Sequence, residues 1–261
     1  MRDFVTIELA STLLDPFINP NARTYWLGLL LSIFIAGLYF LIVRPAWTYT
    51  KIRSLVLHPS SLLDMQLFLG RQLLNILIGT PLLLSGWLLA TKGVRWMDQH
   101  FAQPSTPAWS EETIVLVYSA VLFISWDLSR FILHRLMHTV PFLWSFHQVH
   151  HSAEVLTPLT HHRIHPVESW LYTLRGIVIT ALVAGGFYWV FRTRLSPYTI
   201  LGVPSFGFLL NVTVGNLRHS QLWIRYPAFV ERWFISPAQH QIHHSHAEEH
   251  YGKNYGTWLA I

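Results

Sequence analysis

The stretch YWLGLLLSIFIAGLYFLIV, residues 25–43, carries no charge over nineteen consecutive positions. As a helix rising 1.5 Å per residue it covers about 29 Å, close to the roughly 30 Å hydrocarbon core of a bilayer. It predicts a transmembrane helix, and the rest of the chain repeats the pattern. Gln72 to Thr91 fits a second span, with Gly79 and Pro81 placed to kink it. Thr113 to Leu133 fits a third, interrupted only by Asp127 and Arg130. Leu171 to Phe191 and Pro197 to Gly215 fit a fourth and fifth, and the short Arg192 to Ser196 connection makes them a helical hairpin. Met1 to Asn21 has acidic residues and no basic lead-in, so it reads as an interfacial segment rather than a cleaved signal. The expected fold is all-α, an integral membrane bundle of four to five spans.

Composition agrees: 52% of the chain is hydrophobic and 12% charged, against about 25% charged in ordinary soluble domains. No Ser/Gly linker, charge block or repeat divides it, so it is expected to be one structural domain. Residues 1–112 form a transmembrane region without a motif, and 113–261 carry the histidines. The net charge of +5 does not argue for nucleic acid, because the basic residues are scattered among apolar spans rather than gathered on one stripe. The absence of cysteine excludes disulfides, thiolate zinc sites, iron–sulfur clusters and thiol nucleophiles. Any metal must then be held by nitrogen and oxygen, and sixteen histidines are available.

Span parity sets His134, the 161–165 group, His219 and the 240–246 group on one side of the membrane. Ten basic residues fall on that side (Arg44, Lys51, Arg53, Arg71, Arg135, Arg163, Arg218, Arg225, Arg232, Lys253) and six on the other (Arg2, Arg23, Lys92, Arg95, Arg192, Arg194). The excess places a histidine-rich helical cap in the cytoplasm.

Most histidines lie in four short segments: His134 and His138; His147, His150 and His151; His161, His162 and His165; and His240, His243, His244 and His246. On a helix, residues three or four apart share a face, close enough for two imidazoles to reach one metal or adjacent metals. A single interfacial histidine is usually an ordinary amphipathic residue. A dozen gathered on one side would repel one another if protonated, so they are read as neutral rings directed at cations. Imidazole suits zinc, copper, iron and nickel alike. Number is more informative, because one zinc site needs three or four ligands and the HxxxH and two HxxHH segments supply eight, implying two metals. Asp127, Arg130 and His134 stack on one stripe of the third span, where Asp127 is expected to accept an imidazole N–H and orient that ring.

These residues resemble the fatty acid hydroxylase superfamily, which includes sterol desaturases, methyl sterol oxidases and alkylglycerol monooxygenases. The likeness runs from about Ser125 onward. It rests on the ordered HxxxH (His134, His138), HxxHH (His147, His150, His151) and final HxxHH (His240, His243, His244). Arg163-Ile-His165-Pro-Val-Glu168, Asn216-Leu-Arg-His219-Ser and Asn254-Tyr-Gly256 are also similar to the family. The resemblance implies two iron ions, oxygen as co-substrate, and His165 and His219 as ninth and tenth ligands. Some members carry two histidines four apart where this chain has only His219. The family also continues with a Trp-Asp and Phe-Gly-Thr stretch where this sequence reads Trp258-Leu-Ala-Ile261, so the sequence is expected to stop short of the family's end.

The expected function is therefore a membrane-bound, non-haem di-iron oxidoreductase that hydroxylates or desaturates a lipid or sterol-like substrate. No nucleotide-binding, haem-attachment or cysteine motif is present, so electrons are expected from an external reductase, ferredoxin or b-type cytochrome. Zinc can replace iron in isolated protein. Two other readings stay open: a divalent-metal transporter or sensor, which needs ligands at several depths, and a metal-dependent lipid hydrolase using Glu154 or Glu168 to activate water.

Overall fold

The computed structural model describes residues 14, 17–19, 22, 24–44, 46–192 and 209–261, with only the backbone over 73–87. Among these residues the fold is all-helical, with a single isolated bridge between Phe234 and Leu259 in place of any sheet. The helices are α1 (Trp26–Val43), α2 (Tyr49–Val56), α3 (Pro59–His100), α4 (Glu111–Thr139), α5 (Pro141–His151), α6 (Pro166–Phe191), α7 (Ala228–Glu231) and α8 (Pro237–His243).

Three of them, α1, α4 and α6, are long and apolar enough to cross a membrane. In α1 only 11% of the apolar window is buried. An apolar helix that the protein itself leaves uncovered needs lipid as its solvent. The expected second span lies inside α3, which runs unbroken for 42 residues through Pro81. At about 63 Å this helix outreaches the hydrocarbon core, so its ends stand outside any bilayer it crosses. Residues 1–13 of the expected interfacial segment, most of the 192–196 connection and positions 197–208 of the expected fifth span lie outside the described residues.

Local chemistry sets the helix starts. Ser110 Oγ accepts the Thr113 N–H at the head of α4, where Glu111 and Glu112 complement the helix dipole. Ser236 and Gln239 form a reciprocal capping box at α8. Proline occupies the first turn of α3, α5, α6 and α8, where its missing N–H costs nothing.

The long helices pack α3 against α6 and α6 against α4. Ile114 and Tyr118 of α4 meet Ala184 and Phe191 of α6 in an apolar core at one end of the pair. At the other end, α4 runs on into α5, and the residues that pack there are polar. After α6, residues 211–215 pack on α1, and His219, His240, His243 and His244 come together with the α4 and α5 histidines at that polar end.

Candidate metal centre

Two buried clusters of histidine nitrogens occupy this end. His134, His138, His147, His151 and His243 form one; His150, His219, His240 and His244 form the other. Within each cluster the potential ligand atoms lie within 4.8 Å of one another. The α5 motif is divided between them. His147 and His151, four residues apart, share a face and join the first cluster, while His150 is turned toward the second. The last motif divides likewise, with His243 in the first cluster and His240 and His244 in the second. The clusters abut, the His151 and His244 rings stacking at 4.5 Å between centroids.

Hydrogen bonds on the outer ring nitrogens define the inner ones. His134 Nδ1 lies 2.7 Å from the Tyr255 carbonyl oxygen, His243 Nδ1 2.9 Å from that of Lys253, and His150 Nδ1 3.2 Å from that of Arg163. A carbonyl only accepts, so each Nδ1 carries the hydrogen and each Nε2 presents a lone pair. Yet the Nε2 atoms of His134 and His243 face each other at 3.1 Å. Two lone pairs at that distance repel unless a cation lies between them.

The second cluster makes the same point by counting. His219 Nε2 sits 3.1 Å from that of His240, 3.1 Å from that of His244 and 3.3 Å from that of His150. One hydrogen or one lone pair cannot serve three partners. Metal–nitrogen bonds of about 2.0–2.1 Å place neighbouring ligand atoms roughly 2.8–3.4 Å apart in octahedral to tetrahedral arrangements, a range that includes the spacing seen here. His138 Nε2 and His151 Nε2 are buried with no hydrogen-bond partner, as nitrogens reserved for a metal would be. The residues present therefore fit two metal ions.

Burial keeps these rings neutral. Desolvation, followed by the positive charge of Arg130, pushes His147 down to about 3. Desolvation and neighbouring His147 hold His150 at about 3, and desolvation lowers His243 to about 4. The His151, His240 and His244 rings are pushed down by desolvation first and by neighbouring histidines second. Neutral imidazole is the form that binds metal.

Two residues expected to serve the centre directly stand apart from it. His165 lies outside both clusters: its Nδ1 accepts the Val167 N–H and caps α6, and its ring packs on Phe146. Asp127 accepts no imidazole proton; its two oxygens take the backbone N–H groups of Trp258 and Leu259 at 3.0 and 2.8 Å. The carboxylate that does meet an imidazole is Glu168, whose Oε1 is 2.8 Å from His147 Nδ1. Arg130 lies 4.6 Å over the Tyr172 ring, beside a small cavity bordered by His147, His150 and Glu168. His219 takes its expected place with no histidine four residues upstream, and its cluster has four members rather than five.

A fatty acid hydroxylase family model matches residues 119–261, more than half of the chain. The chain belongs to the fatty acid hydroxylase family. No solved structure matches it. Membership joins a family of lipid-oxidising, metal-dependent membrane enzymes to a chain whose histidines form two metal-fitting clusters beside apolar spans. The family's Asn-Tyr-Gly segment also acquires a structural role. Asn254, in the left-handed region at φ 57°, turns the chain so that the Lys253 and Tyr255 carbonyls meet the two imidazoles of the first cluster. Its Nδ2 donates to the Gln239 carbonyl in α8. The sequence offers no signal for these backbone acceptors, since any residue supplies a carbonyl.

Proposed function

We propose that the protein is an oxygen-dependent di-iron enzyme that hydroxylates or desaturates a lipid or sterol-like substrate. The observation that carries this reading is the pair of abutting clusters, each with its imidazole nitrogens gathered within 4.8 Å of one another. Two iron ions held there would supply reduction of oxygen and removal of hydrogen from an unactivated carbon. The ligands in this reading are the nine clustered histidines, and His165 acts as a helix cap.

The protein's own contribution is orientation and exclusion. Glu168 and the carbonyls of Tyr255, Lys253 and Arg163 hold four rings with Nε2 inward. Asp127 anchors the segment that carries two of those carbonyls, and so acts at one remove from the site. Arg130 and Tyr172, from the spanning helices α4 and α6, border the small cavity beside the histidines. The gathering of histidines into one compact centre supports chemistry over a conduit with ligands at several depths. Glu168 Oε1 is engaged by His147, which supports an orienting role for that carboxylate, and Glu154 is largely exposed beside His58.

Residues 113–261 are the catalytic part of one domain, and 1–112 complete its membrane region. The site faces the cytoplasm, where a reductase, ferredoxin or b-type cytochrome supplies electrons. Arg163 and Arg218 are buried, which leaves eight of the ten basic residues on that side to set the orientation. The test is anaerobic purification with metal counting, followed by lipid extract, reductant and oxygen. Products sixteen mass units heavier or two lighter support the reading; a stoichiometry near one metal, or no oxygen-dependent product, overturns it.

A further inference from the structure

We infer that Asp64, in α3 and outside the family-matched segment, is a positioning residue for the four-histidine cluster. It acts through Arg163, whose carbonyl oxygen takes the Nδ1–H of His150. Asp64 is fully buried. Its Oδ1 accepts Arg163 Nε at 2.6 Å, and its Oδ2 accepts the Thr160 and Thr157 hydroxyls at 2.6 and 3.3 Å. The Arg163 guanidinium is complete around this anchor: Nη2 donates to the Ser60 carbonyl and hydroxyl at 2.6 and 2.8 Å, and Nη1 to those of Ser152 at 3.2 and 3.1 Å. All its donor nitrogens are thus engaged, and the backbone of Arg163 is held where its side chain is held.

The fixed point matters because His150 belongs to the second cluster while its other nitrogen rests on the Arg163 carbonyl. That contact selects the tautomer whose Nε2 lone pair faces His219. Arg163 also holds Ser152, the residue after His151, but among the described residues it meets a ring nitrogen at His150, whereas the ring acceptors of the first cluster are Glu168, Lys253 and Tyr255. Loss of Asp64 leaves a buried guanidinium without its counter-charge, and Arg163 must move. The effect is therefore selective for one ion. The inference rests on reading the clusters as metal sites.

The test uses the full chain in detergent, freed of metal and titrated anaerobically with cobalt(II), reading ions per chain and the cobalt ligand-field spectrum. Wild type should take two ions. Asp64→Asn should keep one at wild-type affinity and weaken the other by about 10- to 100-fold. Adding His138→Ala to that variant should remove the remaining tight ion, and adding His219→Ala should leave it. Asp98→Asn, which breaks the ion pair with Arg192 near the other end of α3, should keep both. Should Asp64→Asn not fold, Ser60→Ala strips one acceptor from Arg163 and should weaken the same ion less. Both ions bound as in wild type, or both weakened in parallel, overturns the inference. A wild-type chain that takes up no cobalt removes the metal reading itself, and the inference with it.

Discussion

His147 Nδ1 and Glu168 Oε1 lie 2.8 Å apart, joining α5 to the first turn of α6 with both side chains almost wholly buried. An imidazole bound through Nδ1–H to a carboxylate is fixed in orientation and made a stronger donor at Nε2. Glu168→Ala should therefore weaken metal binding at the five-histidine cluster by about 10- to 100-fold. Glu168→Gln, which keeps an acceptor oxygen without the charge, should do less. Metal titration of the purified variants checks the order, and wild-type affinity in Glu168→Ala would remove the residue from this role.

The two clusters make separable demands. His138→Ala should cost one ion while the other stays, and His219→Ala should do the same at the opposite cluster. Elemental analysis should then give about one metal per chain in each and none in the double variant. Loss of both ions from either single variant would show that the centre assembles as one unit.

Acid should destabilise the metal-free protein in a defined window. His147, His150 and His243 have folded-state values of about 3, 3 and 4, below the roughly 6.5 of an unfolded chain. The unfolded state then binds more protons below that pH, so stability is full above about 6.5 and falls as pH drops toward 4 and 3. Each ring removes about 1.4 kcal/mol per pH unit in that window. Denaturant melts between pH 7.5 and 4.5 should show the decline, and a flat profile would contradict neutral burial. Metal retention should fall over the same range, because protons compete for Nε2.

The C-terminal segment should be sensitive to single changes. A side chain at Gly256 would run into the Leu259 carbonyl and crowd Ile235, so Gly256→Ala must displace the backbone beside Tyr255. Asp127→Ala leaves the Trp258 and Leu259 N–H groups without their acceptor, at a cost of about 1–3 kcal/mol. Both variants should expose residues 253–261 to limited proteolysis and lower metal content. Protection equal to wild type would separate this segment from the site.

The sequence by itself determined the helical class, the apolar spans around α1, α4 and α6, and the helical spacing of the motif histidines. Those features are periodic and local. An uninterrupted apolar run states its solvent, and histidines three or four apart state that they share a face. Which cluster each histidine joins was decided only by the tertiary structure, because His147 and His150 separate only once helices from distant parts of the chain surround them. His165 shows the limit of reading by resemblance: standing before Pro166, it caps α6 through Nδ1. The partners of the rings were equally hidden. Tyr255 and Lys253 act through carbonyls that every residue possesses, Asp127 reaches across 131 positions to a backbone N–H, and Asp64 meets Arg163 across 99. Contacts made by the backbone, or between elements far apart in the chain, leave no periodicity in the sequence and exist only after packing has brought the groups together.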